Sequence, residues 1–94
     1  MVTEGTTARA ISVSGSNTYI GRNQIEGAGE VGIWLGSRGS ANELDGNDFE
    51  QFRAAVADVM LNKGANDNVV MGTHGSVSDL GAGNRIRGLK RLAD

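Results

Sequence analysis

The chain has no cysteine and no proline, one histidine, and only four aromatic residues in 94 positions. Without cysteine there is no disulfide scaffold and no thiolate metal site. A single histidine among dispersed carboxylates offers no ligand spacing, so neither a metal nor a cofactor is expected. No apolar run approaches the roughly 18 residues that a membrane helix needs, and segment 1–10 lacks the basic-then-apolar layout of a leader. Nine basic residues lie scattered among eleven acidic ones, for a net charge of −2. That balance gives no basic stripe for nucleic acid. Nucleic acid and membrane are therefore not expected as partners, and the residues indicate no compartment.

What the chain does have is glycine: 15 residues, joined by many asparagines and serines. This composition favours turns and disfavours a helical bundle. The glycines also hide a repeat. Asn-x-x-x-Gly occurs as Asn17 to Gly21, Asn42 to Gly46 and Asn68 to Gly72, a near-constant spacing. Upstream of each motif lies a short alternating segment: Ile11-Ser-Val13, Ile33-Trp-Leu35 and Val59-Met-Leu61. Downstream come Asn23-Gln-Ile25-Glu and Asn47-Asp-Phe49-Glu, and Asn84-Arg-Ile86-Arg fits the same place after the third motif. Residues 73–83 then read as an inserted loop.

Each apolar segment has period two and one face to bury. A unit of this length cannot bury that face alone and must stack on its copies. Stacking predicts parallel sheets with strands ~4.8 Å apart. The expected inward columns are Ile11–Ile33–Val59 with Val13–Leu35–Leu61, then Tyr19–Leu44–Val70, then Ile25–Phe49–Ile86. Asparagine and glycine suit the corners because both tolerate positive φ, and stacked asparagine amides can bond along a column. Absence of proline fits strands whose N–H groups all serve neighbours.

The texture Asn-x-Ile-x-Gly-Asn-x-Ile followed by Gly-Ile-x-Leu resembles the right-handed parallel β-helix repeats of the pectin-lyase-like superfamily, over roughly 80 of the residues. It is closer to the degenerate repeats of cell-surface and periplasmic β-helix proteins than to any one enzyme family. The resemblance implies an all-β fold forming a single domain. That domain would be a short solenoid of about three coils, each of roughly 22–26 residues. Residues 1–9 would be a cap or extension, 10–88 the coils and 89–94 a tail or cap, with Leu89 and Leu92 in a short turn. A cell-surface or extracellular location follows from the resemblance alone.

Residues 48–62 admit a rival. Phe49, Phe52, Val56, Val59 and Met60 fall at helical spacing, with Gly64 available as a C-terminal cap. The register of Val59-Met-Leu61 with Ile33-Trp-Leu35 favours a strand.

Candidate ligand-binding residues follow from the expected columns. Alternation places Asp48 and Glu50 outward around Phe49, with Gln24 and Glu26 one unit earlier and Arg85 and Arg87 one unit later. A stacked row of Glu26, Glu50 and Arg87 offers a sugar-binding or acid/base surface. The plainer reading is a solvated face of paired charges. His74, in Gly72-Thr-His-Gly75, is similar to the Gly-His-Gly of β-helix polygalacturonases, but Asp58 and Asp67 lack the accompanying pattern, so no catalytic residue is assigned. Trp34 should point outward between inward neighbours, beside Ser12 and Met60. An exposed face of Trp34, Phe52 and Met60 suits an interface better than a sugar platform.

The expected function is a non-catalytic structural or binding module that self-associates through open sheet ends or this apolar face. A polysaccharide-binding or polysaccharide-degrading protein is the alternative. A homo-oligomer is expected, because so small a core buries little apolar surface alone.

Overall fold

The computed structural model describes residues 2–3, 9–72 and 75–92. Every regular element among them is a β-strand, and every pairing is parallel. The strands are β1 (Val2–Thr3), β2 (Arg9–Val13), β3 (Tyr19–Gly21), β4 (Gln24–Leu35), β5 (Glu43–Asp45), β6 (Asp48–Leu61), β7 (Val69–Met71), β8 (Ser76–Asp79), β9 (Arg85–Arg87) and β10 (Lys90–Arg91). They form two sheets. The larger runs β1-β4-β6-β8-β10, with β2 also beside β4, and the smaller runs β3-β5-β7-β9. Among the described residues neither sheet closes on itself.

Alternation explains the core. Ile11, Ile33, Val59 and Val77 are successive partners in the larger sheet, as are Val13, Leu35 and Leu61. Ile33, Leu35, Val59, Leu61 and Val77 are all buried. The segment with helix-like spacing is strand: β6 runs unbroken from Asp48 to Leu61. Its spacing has a local cause. Gln24 pairs with Asp48 but Glu26 pairs with Gln51, and a second shift separates Gly29 from Val31. Each shift inserts one extra residue into β6. The first turns both Phe49 and Phe52 inward, three positions apart; Val56, beside the second, is left exposed.

Three expected placements need correction. In the smaller sheet Ile20, not Tyr19, lies beside Leu44 and Val70. Tyr19 points out and is 58% exposed. The first motif is thus one residue out of step: Thr18 occupies the level of Asn42, and Asn17 sits in the corner instead. That corner keeps a left-handed backbone throughout, at Asn17 (φ 59), Ala41 (φ 55), Asp67 (φ 59) and Gly83 (φ 71). Second, Ile86 belongs to the smaller sheet beside Val70, not with Ile25 and Phe49. Asn84 to Gly88 is a fourth copy of the motif.

The third correction concerns the segment expected as an inserted loop over 73–83. Ser76–Asp79 is a strand that pairs with Val59–Leu61, so the chain shortens there. Along the core column the longest step runs from Ile33 to Val59. The step from Val59 to Val77 is shorter, and the step from Val77 to Arg91 is shorter again. The C-terminal segment, expected as a short turn, is the strand β10, and Leu89 packs on the core. The expected cap over residues 1–9 falls mostly outside the described residues.

Asparagines tie the repeats along one corner. Backbone N–H groups of Thr18, Asn42 and Asn68 donate to the Oδ1 of Asn42, Asn68 and Asn84 at 2.8, 2.9 and 2.8 Å. The amides donate in turn to the carbonyls of Gly15, Gly39 and Ala65. Asn47 makes a second rung, accepting from the Asn23 N–H and donating to the Ile20 carbonyl, at 3.1 Å each. No buried side-chain polar atom among the described residues lacks a hydrogen-bond partner, so the inward amides exchange water for protein partners without loss.

Candidate functional site

The six expected ligand-binding residues fall in three places. Glu26, Asp48 and Glu50 lie on β4 and β6, but not in one row. Asp48 stands beside Gln24 and Glu26 beside Gln51, whereas Glu50 occupies the extra position created by the register shift. Asp48 closes that irregularity by accepting the Glu50 N–H on Oδ1 at 2.9 Å. Arg85 and Arg87 are in the other sheet, beside Val69 and Met71. The expected row of Glu26, Glu50 and Arg87 therefore does not form, because Arg87 belongs to the corner motif and not to the strand that follows it. His74 lies outside the described residues, as does Thr73.

The expected apolar face also divides. Ser12, Trp34, Met60 and Ser78 are successive partners across the larger sheet, which is the outward row predicted for Trp34. Phe52 does not belong with them: it is 7% exposed and part of the core. Trp34 is half-buried, and its ring lies so close over Gly36 that a Cβ there would meet it at 2.8 Å. The Arg9 guanidinium sits 4.1 Å from the ring centroid and 3.8 Å from Glu30. Such a cation–π contact contributes about 0.5–1 kcal/mol. Trp34 is thus already used within the chain to hold β2 on β4.

Two features escaped the sequence reading. One is Tyr19, whose hydroxyl donates to Asp45 Oδ2 at 3.4 Å while its ring lies across Gly21. The signal was available: Tyr19 and Gly21 are two apart, so they share a face, and only glycine leaves room for the ring. The other is the C-terminal end of the core. Asp79 continues the column Val13–Leu35–Leu61, and Arg91 continues Ile11–Ile33–Val59–Val77. Arg91 Nη1 bonds Asp79 Oδ2 at 2.6 Å. Asp79 Oδ1 also accepts the Gly81 N–H at 3.0 Å and Asn84 Nδ2 at 2.9 Å. These two columns of the larger sheet thus end in charge, and the charges are joined, whereas the smaller-sheet column ends on Ile86.

Asp58 and Ser76 make a further reciprocal pair between β6 and β8. The Ser76 N–H donates to Asp58 Oδ2 at 2.9 Å, and the Asp58 N–H donates to Ser76 Oγ at 3.1 Å. The pair fastens the shortened repeat to the one before it. Among the described residues, no group of three or more His, Asp or Glu side chains is placed to hold a metal ion. No protein-family model matches this sequence, and no curated protein or solved structure matches it.

Proposed function

We propose that this chain is a short right-handed parallel β-helix acting by shape, a structural or binding module without catalysis that associates with further copies of itself. The observation that carries the reading is the repetition of one register through both sheets. Ile11–Ile33–Val59–Val77 and Ile20–Leu44–Val70–Ile86 run as parallel columns, with an asparagine rung at the same corner each time. Strands that pair in parallel and follow one another around short corners favour right-handed winding. This is the arrangement implied by the resemblance to pectin-lyase-like repeats.

Self-association is supported by the edges. Among the described residues no strand covers the outer side of β2 or β3, and exposed parallel edges are templates for pairing. Sedimentation equilibrium of the full chain tests the reading. An average mass that rises above 9.8 kDa with concentration is expected; a monomer mass at every concentration contradicts it.

The second reading, polysaccharide binding, is favoured by the exposed Tyr19 ring anchored on Asp45. Aromatic faces flanked by carboxylates suit sugar rings. Tyrosine fluorescence titrated with neutral and acidic oligosaccharides tests it: saturable change that Tyr19→Ala abolishes supports sugar binding, and a flat response removes it.

A further inference from the structure

We infer that a second copy of this chain docks head to head on the end formed by β2 and β3, giving a closed two-fold dimer, while the opposite end is built to refuse contact. The inference rests on the self-association proposed above and names the end and the symmetry that carry it.

The two ends differ in chemistry. At the β2/β3 end the core columns finish on Ile11, Val13 and Ile20, all apolar. Arg9 is the one charged residue within β2 and β3, and it is engaged by Trp34 and Glu30; Arg22, exposed, follows β3. At the β9/β10 end the two columns of the larger sheet finish on Asp79 and Arg91, and the column of the smaller sheet finishes on Ile86. The last strands add Arg85, Arg87 and Lys90, all exposed. Inward charges and edge cations are devices that stop strand addition. The repeat also shortens step by step, from Ile33–Val59 to Val59–Val77 to Val77–Arg91, which narrows that end.

Three pairings of ends are available, and charge separates them. Tail to tail sets Arg85, Arg87, Lys90 and Arg91 of one copy against the same four of another. Head to tail presses the Asp79–Arg91 pair onto Ile11 and Val13, stripping water from both charges against hydrocarbon. Head to head brings together apolar column ends and strands whose one charge, Arg9, is already held by Glu30 and Trp34. That contact is isologous, so it closes at two copies and does not propagate.

Backbone geometry supplies the bonds. The Gly36 N–H donates to the Val13 carbonyl at 2.8 Å, so Val13 turns its polar groups toward β4. N–H and C=O of one residue point to the same side of a strand, and alternate residues point to opposite sides. Ile11 therefore also bonds toward β4, whereas Ala10 and Ser12 present their N–H and C=O to the outer edge. An antiparallel β2 from a two-fold-related copy would use those groups.

Sedimentation velocity of the full chain and three variants tests this. The natural chain should pass from monomer to dimer with concentration and stop there. Ser12→Pro removes one outward N–H without touching the β2–β4 bonds, and should weaken dimerisation about tenfold or more with an unchanged circular-dichroism spectrum. Tyr19→Lys places a like charge on the β3 edge of both copies and should do the same, which keeps the test open should the proline variant not fold. Replacing Asp79 and Arg91 by leucine together with Arg85, Arg87 and Lys90 by threonine removes the charged stop and should yield species larger than the dimer. Assemblies beyond two copies in the natural chain overturn the inference. So do edge variants that dimerise as tightly as the natural chain, or a variant without the five tail charges that halts at the dimer. A natural chain that stays monomeric throughout removes the self-association itself.

Discussion

Asn42 donates its backbone N–H to Asn68 Oδ1 at 2.9 Å, with both side chains fully buried. Asn68 Nδ2 reaches on to the Gly39 carbonyl at 2.8 Å. One amide thus fastens two backbone groups of the preceding repeat that no strand bond serves. Asn68→Ala would leave a buried donor and a buried acceptor unmatched. It should cost about 2–4 kcal/mol, measured by urea unfolding. Asn84→Ala, at the less buried foot of the same column, should cost less.

The left-handed corner gives a test of opposite sign. Ala41 holds φ 55 at an exposed position where Asn17, Asp67 and Gly83 stand in the other repeats. Alanine is strained there and asparagine is not. Ala41→Asn should raise stability by about 0.5–1 kcal/mol. Gly64→Ala should lower it by about 1–3 kcal/mol, because Gly64 has φ +93 and a Cβ would lie 2.6 Å from the Ser37 carbonyl oxygen. Thermal unfolding of the two variants should move in opposite directions.

Phe52 and Trp34 separate core from surface. Phe52→Ala empties a buried site and should cost about 3–5 kcal/mol. Trp34→Ala loses a half-buried ring and the Arg9 contact, and should cost less. Arg9→Ala should shift the Trp34 emission spectrum while removing about 0.5–1 kcal/mol. An unchanged spectrum would show that the guanidinium does not sit over the ring.

The Asp79–Arg91 pair predicts a modest effect. Asp79 keeps the Gly81 N–H and Asn84 Nδ2 when Arg91 is truncated, and Arg91 is half exposed. Arg91→Ala should therefore cost about 1–2 kcal/mol. Asp79→Ala strips Asn84 of an acceptor as well and should cost more. Equal losses in denaturant unfolding would contradict the shared role of the carboxylate.

The central columns were legible because strict alternation survives at 11–13, 33–35 and 59–61, where one face is wholly apolar. The corner at 17–21 was not, because Tyr19 and Ile20 are both apolar and only burial tells them apart. One slip of a residue there reverses which of them faces inward. Glu50 and Phe52 defeat a simple alternation for one reason: the extra residue in β6 shifts every later partner, and no local residue type announces it. The fourth motif, Asn84 to Gly88, is visible as spelling. Its place is lost under a constant repeat length, because the chain drops a segment between Gly72 and Ser76. The candidate site suffers most, since outward residues from different repeats meet only if every register step is right.

The fold stands on parallel stacking in the stated register, and cross-strand backbone nuclear Overhauser effects measure that directly. Contacts linking Ile11 with Ile33, Ile33 with Val59 and Val59 with Val77 are predicted, together with contacts between the Asn42 N–H and the Asn68 side chain. Helical amide-to-amide contacts through 48–61, or cross-strand contacts displaced by one residue, would contradict it.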